Sequence, residues 1–184
     1  MENVVCIYHS RDLDGWMSGA IVKLVYPNVE LIGWDYGQPL PELHVDDRVI
    51  MVDVSFPSSV MEELNGVQER FTWIDHHKSA IEDMGNYPGV IDGVQRTDMA
   101  ACELTWLHFF RTQPIPELVR LLGRYDCFGH KGTEEELRVL EFQYGARQLI
   151  GNVDEAYSTL LIAKGRGDWS FDSDLCEEIH LKGQ

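Results

Sequence analysis

The chain has 184 residues, 44% of them apolar and 10% aromatic, enough for the core of one domain and too many for wholesale disorder. Its 31 acids against 15 Lys and Arg leave a formal charge of −16. A surface of that sign repels long polyanions, which argues against coating duplex DNA; a small phosphorylated ligand drawn in by bound cations stays open.

Residues 4–8 (Val4-Val5-Cys6-Ile7-Tyr8) read as a buried strand. From Gly15 to Val25 the apolar residues Trp16, Met17, Ala20, Ile21, Leu24 and Val25 recur at helical spacing, and Pro27-Asn28 ends that helix. Val29 to Trp34 resumes a strand, and Gly37-Gln38-Pro39-Leu40-Pro41 is a loop by its punctuation. A strand at 48–53, a helix near 57–65 and a strand at 70–75 follow. A further short strand is expected at Gly89 to Ile91. Thr97 or Asp98 is the expected cap of a helix running through Ala100, Leu104 and Leu107 to Phe110. Pro114 and Pro116 open another helix ending near Arg124, and Glu134 to Tyr144 and Asp154 to Lys164 read as helices. The acidic, Gly-rich stretch from Gly165 reads as a loosely held end.

Strand, helix and strand alternating at short intervals predict an α/β fold: a mainly parallel sheet flanked by helices, with a helical C-terminal portion. The expected organisation is an α/β core over 1–130 and a helical extension of the same domain over 131–184. Cys6, Cys102, Cys127 and Cys176 are widely spaced with no CxxC pair, so free thiols in a reducing cytoplasm are expected rather than a disulfide framework. Met1-Glu2-Asn3 opens no basic-then-apolar leader, and no run of about 18 apolar residues occurs, so neither secretion nor membrane spanning is expected.

Four short stretches end in acids or histidines: His9-Ser10-Arg11-Asp12-Leu13-Asp14-Gly15, Val52-Asp53, Asp75-His76-His77 and Tyr125-Asp126. Three of them follow strand-like runs, so a parallel sheet would deliver them to one edge, at the carboxyl ends of its strands. Carboxylates and imidazoles crowded there repel one another unless cations lie between them. Oxygen ligands with some imidazole suit Mn or Mg, and a strand-tip carboxylate such as Asp53 can bridge two ions through its two oxygens. Taken singly, Asp12, Asp14 and Asp53 also fit helix caps, His9 a packed histidine and Asp126 a solvated acid. Two adjacent histidines at the end of a buried strand are harder to explain structurally.

These residues resemble the DHH phosphoesterase superfamily, which is named for the triplet seen here as Asp75-His76-His77. The first motif matches at His9, Asp12 and Asp14-Gly15, the second at Asp53, the third at Ile74-Asp75-His76-His77-Lys78 and the fourth at Asp126. The superfamily includes single-strand exonucleases, oligonucleotide and cyclic-dinucleotide phosphodiesterases, exopolyphosphatase-like proteins and inorganic pyrophosphatases. The resemblance implies two divalent ions, Mn first and Mg or Co as alternatives. His9 and Asp12 would hold one, Asp14 and His76 the other, with Asp53 bridging and Asp126 completing the cluster. Asp75 would orient a ligand imidazole and His77 would face the scissile phosphate. The implied reaction is hydrolysis of a small phosphodiester, phosphomonoester or phosphoanhydride by water activated between two metals.

Thr97-Asp98-Met99-Ala100-Ala101 resembles the family's small-residue helix start, with packing as its expected role. The resemblance also implies a second, C-terminal domain with a Gly-Gly-His-like loop, which this sequence lacks; it reads either as a catalytic core whose 131–184 would lead to that domain or as a naturally short member. Candidate substrates are a short oligonucleotide, cyclic dinucleotide, nucleotide or polyphosphate; a homodimer is one arrangement the sequence leaves open. Three other readings compete: a haloacid-dehalogenase-like phosphatase suggested by Asp12-Leu13-Asp14-Gly15, a phospho-acceptor receiver centred on Asp53, and a catalytically silent metal- and nucleotide-binding module.

Overall fold

A computed structural model describes residues 3–68, 70–169 and 172–184. The reading of the first residues as leaderless rests partly on Met1 and Glu2, which lie outside the described residues. Five strands, β1 (Val4–His9), β2 (Glu30–Trp34), β3 (Arg48–Val52), β4 (Phe71–Asp75) and β5 (Asp92–Gln95), form one all-parallel sheet in the order β2-β1-β3-β4-β5. The chain is therefore α/β, as its alternating pattern predicts.

Both faces of the sheet are covered, which explains why the inner strands β1, β3 and β4 are mainly apolar. Along β3, Val49 and Met51 pack into one buried layer and Ile50 and Val52 into the other, following the two-residue strand repeat. The first layer is closed by α2 (Ser58–Val67) and α3 (Lys78–Asp83) through Met61, Leu64, Ala80 and Ile81. The second is closed by α1 (Leu13–Val25) and α4 (Ala101–Phe109) through Val22 and Leu104.

Outside that helical layer lie α5 (Glu117–Asp126), α6 (Glu136–Leu149), α7 (Val153–Lys164) and α8 (Asp172–Gly183). One buried cluster joins Met17 and Ile21 of α1 and Trp106 of α4 to Leu118, Phe142, Leu160 and Ile179 of these helices. No helix among the described residues is long and apolar enough to cross a membrane.

Three sequence expectations need correction. The fifth strand lies at Asp92–Gln95 rather than Gly89 to Ile91. It is an edge strand whose burial is only partial, so its polar composition carries no strand signal. The cap of α4 is Ala100, not Thr97 or Asp98; Asp98 is instead held by the Arg96 guanidinium at 2.6 and 2.9 Å. The stretch after Gly165 is not a loose end, because α8 packs tightly on α6, with Cys176 and Ile179 buried. Glycines on both helices let them meet: a Cβ on Gly145 of α6 would lie 1.8 Å from the Ile179 carbonyl oxygen, and one on Gly183 of α8 would lie 1.7 Å from the Glu141 carbonyl oxygen. Asp172, at the start of α8, also accepts the backbone N–H groups of Glu117 and Leu118 and so caps α5. Ser170 and Phe171 of that stretch lie outside the described residues.

Candidate metal centre

In a sheet ordered β2-β1-β3, chain connections leave β1 and β3 toward opposite sides, opening a crevice at their carboxyl ends. His9 ends β1 and Asp53 follows β3, so both residues face this crevice from neighbouring strands.

Asp12 is the N-cap of α1: its Oδ1 accepts the Gly15 N–H at 2.9 Å, and its Oδ2 lies 2.9 Å from His9 Nδ1. The helix starts this close to β1 only because residue 15 is glycine; a Cβ there would lie 2.0 Å from the His9 carbonyl oxygen. Two residues on, the buried Asp14 carboxylate accepts the first amides of α4, Ala101 N–H at 2.9 Å and Cys102 N–H at 2.8 Å. Ala100 has no side-chain oxygen with which to cap α4, and Asp14 supplies one from another helix. The helix start at 97–101 thus has a role beyond packing: it anchors Asp14.

Asp53 has φ +59, a left-handed conformation that a non-glycine residue adopts only at a cost of about 1–2 kcal/mol. Its N–H donates to the Ile74 carbonyl at 3.0 Å, and the turn presents both carboxylate oxygens to the crevice. Both oxygens are buried, and neither accepts a hydrogen bond among the described residues. One lies 3.5 Å from His9 Nδ1 and the other 3.4 Å from His76 Nε2.

His76 follows β4. Its Nε2 lies 3.2 Å from Asp126 Oδ2, 3.4 Å from Asp53 Oδ1 and 3.5 Å from Asp14 Oδ2. A ring nitrogen carries at most one proton, so it cannot satisfy three carboxylates. Oxygens and nitrogen so spaced suit a cation between them. Two groups that could each hold an ion follow, His9-Asp12-Asp53 and Asp14-His76-Asp126, each with donor atoms within 4.8 Å of one another, joined by Asp53. A third grouping, Asp53-His76-His77, overlaps them. All six sequence-predicted ligands thus come together. Four are carboxylates, whose charge two divalent ions would cancel, and the mixed oxygen and imidazole set without thiolate suits Mn, Fe or Mg better than soft ions.

Without such ions the cluster competes for protons. Burial, then the Asp53 charge, pushes Asp14 up to about 7; burial, then Asp14, does the same to Asp126. Burial also raises Asp53. Burial opposes protonation of His9 and His76, but the nearby Asp12 and Asp53 carboxylates raise His9 to about 10, and those of Asp53, Asp14 and Asp126 raise His76 to about 9. Burial opposes ionisation of Asp12, yet the His9 ring and the Gly15 amide hold it below its ordinary value.

Asp75 departs from its expected role. Its Oδ1 accepts the His76 N–H at 2.7 Å and the His77 N–H at 3.1 Å, and lies 2.7 Å from His77 Nδ1. It therefore orients the His77 ring, while the His76 ring turns the other way into the acids. The carboxylate beside a ligand imidazole is instead Asp35, whose Oδ1 lies 3.4 Å from His9 Nε2. Asp35 follows β2, so the strand-tip rule applied to Trp34-Asp35 would have found it. Its other oxygen lies 3.3 Å from Arg11 Nε.

Cavities flank the cluster on two sides. One of about 290 Å³ is lined by Asp12, Asp14 and Asp126 together with Arg11 and Arg147. The other, about 540 Å³, begins at His77 and runs along Trp34, Tyr36 and Phe56.

No family model matches the chain. An uncharacterised protein of Acanthamoeba polyphaga mimivirus is 28% identical over 84 residues, 46% of this chain and 20% of its own. The crystal structure of an uncharacterised protein from Helicobacter pylori aligns with a TM-score of 0.63 and 14% identity, over 99% of this chain and 64% of that one. The chain thus spans less than two thirds of either protein, and at such identity the structural likeness is one of fold.

Proposed function

We propose that this chain is a divalent-metal-dependent phosphoesterase of the DHH type, hydrolysing a small phosphoester or phosphoanhydride. The observation that carries this reading is Asp53: a strained, buried carboxylate that accepts no hydrogen bond among the described residues and faces one group of candidate ligands with each oxygen. His9, Asp12 and Asp53 would hold one ion, and Asp53, Asp14, His76 and Asp126 the other. Two bound cations would supply a nucleophile from water at neutral pH and neutralise charge on the phosphoryl group.

The protein's own groups do the rest. Asp75 fixes His77 through Nδ1, leaving Nε2 to meet a phosphoryl oxygen or the leaving oxygen. As water's oxygen joins phosphorus and the P–O bond breaks, His77 is placed to deliver the leaving group's proton. Arg11 and Arg147 line the adjoining cavity and suit further anionic groups. The alternatives fit less well. An acyl-phosphate mechanism needs an unencumbered Asp12 or Asp14, and both already cap helices. A receiver needs a lysine at a later strand tip, where Arg96 is committed to Asp98. The free cysteines suit a reducing compartment, and we place the activity in the cytoplasm.

Metal analysis after dialysis against Mn should find about two ions per chain, and hydrolysis of pyrophosphate, short oligonucleotides or cyclic dinucleotides should require them. One ion or none, with no hydrolysis of any of these, would overturn the proposal.

A further inference from the structure

We propose that the 540 Å³ cavity beside His77 seats a nucleobase of the substrate against Tyr36, which makes the chain selective for nucleotide esters over base-free phosphates. This rests on the phosphoesterase reading above and narrows its substrate class.

The cavity adjoins the cluster at His77. His77 lines it while lying 3.9 Å from Asp53 Oδ1, and the Tyr36 and His9 ring centroids are 6.0 Å apart. One wall is aromatic and apolar, where Trp34, Tyr36 and Phe56 meet edge to face at 4.9–5.6 Å with Leu40 and Met84 beside them, and neutral Gln38, Ser55, Ser58 and Ser79 line much of the rest and suit the polar edge of a base. None of its lining residues is Lys or Arg, and Asp83 adds a negative charge. A polyphosphate tail finds no counter-charge there, whereas a planar neutral group finds a stacking surface. The cationic side chains lie in the opposite cavity, which orients a ligand with its base toward Tyr36 and its charge toward Arg11 and Arg147.

The wall is also preformed. The Tyr36 N–H donates to Asp35 Oδ1 at 2.8 Å, the Asp35 N–H to Gln38 Oε1 at 3.0 Å, and Trp34 Nε1 to the Pro39 carbonyl at 3.0 Å. This ordered loop nevertheless holds Tyr36 52% and Leu40 47% exposed. Large apolar side chains kept open to water at the mouth of a cavity are a surface awaiting a partner.

The test measures, by calorimetry on the Mn-loaded protein, the binding of adenosine 5′-monophosphate and ribose 5-phosphate, which share the ribosyl phosphate and differ at C1′, where one carries adenine and the other a hydroxyl. The nucleotide should bind about tenfold to a hundredfold more tightly, the contribution of one stacked base. Tyr36→Ala should abolish that difference while keeping its Mn and its affinity for ribose 5-phosphate, and Tyr36→Phe should preserve it. With a dinucleotide substrate, Tyr36→Ala should raise KM more than it lowers kcat. Equal binding of the two probes by the wild-type protein, or an undiminished difference in Tyr36→Ala, would overturn the base pocket and leave the phosphoesterase reading intact. Failure of both probes to bind a protein carrying two Mn would remove that reading and this one together.

Discussion

Asp53→Asn separates a shared metal ligand from a strand-end acid. Asparagine matches aspartate in shape and tolerates the φ of +59, so the change removes charge and basicity at the crevice with little change in backbone preference. Ions that bind only the folded chain stabilise it by mass action, each by about 2.7 kcal/mol at a free concentration a hundred times its dissociation constant. Two sites together give about 5 kcal/mol, and a chain of this length shifts about 2–4 °C per kcal/mol, so Mn should raise the wild-type Tm by about 10–20 °C. Because one Asp53 oxygen faces each ligand group, losing the carboxylate weakens both sites, and the rise in Asp53→Asn should shrink to under about 5 °C. Thermal unfolding followed by circular dichroism, with chelator and with Mn, measures this directly. A full Mn-induced rise in Asp53→Asn would refute the shared ligand and the dinuclear arrangement with it.

Four further outcomes are expected. In chelator, Asp14 and Asp126 (raised to about 7), His76 (about 9) and His9 (about 10) all hold protons more tightly folded than unfolded, so stability should fall as pH rises from about 5 to 9; saturating Mn should flatten that slope in urea titrations. Asp12, lowered instead, adds an opposing loss only as pH falls through the ordinary carboxylate range. His77→Asn should lower kcat by about 10²–10⁴-fold with metal content unchanged, and loss of Mn from this variant would make His77 a ligand rather than a proton donor. Asp35→Ala should weaken Mn binding about 10–100-fold without altering the far-UV spectrum, and unchanged affinity would show that the 3.4 Å contact to His9 does no orienting. Gly145→Ala should destabilise the chain by about 3 kcal/mol in denaturant unfolding, because its Cβ enters the Ile179 carbonyl, and a smaller loss would mean that α8 shifts easily on α6.

What could be read from sequence followed burial. Strands covered on both faces are unbroken apolar runs, so β1, β3 and β4 declare themselves, and the acids and histidines at their ends fall at one sheet edge whatever the details of the helices. The edge strand β5 and the helix α8 did not declare themselves, the first because it is polar and half-buried, the second because its closest contacts are made by glycines that read as breakers. Contacts between distant segments were equally hidden. Nothing local says that Asp172 caps α5 or that Asp14 caps α4 across 87 residues. Asp35 was legible and overlooked, whereas the choice of His77 over His76 as the partner of Asp75 depends on ring orientations that only the folded chain defines.

Asp14 shows why such a site belongs to the core rather than to an appended loop. The carboxylate that faces His76 also neutralises the N-terminal amides of α4, and α4 packs through Leu104 onto the sheet and through Trp106 onto the outer helices. A helix terminus stabilises a nearby anion, which partly offsets the cost of burying Asp14 beside Asp53. Asp126, the remaining acid, ends α5, whose start is in turn capped by Asp172 of α8. The outer helices therefore do more than cover apolar surface: they carry one acid into a cluster whose other members come from the sheet edge and α1. The acids repel one another unless cations or protons lie between them, so on the proposed reading folding and metal binding are coupled through these caps, and a variant that loosens α8 should weaken Mn binding although α8 contributes no residue to the cluster.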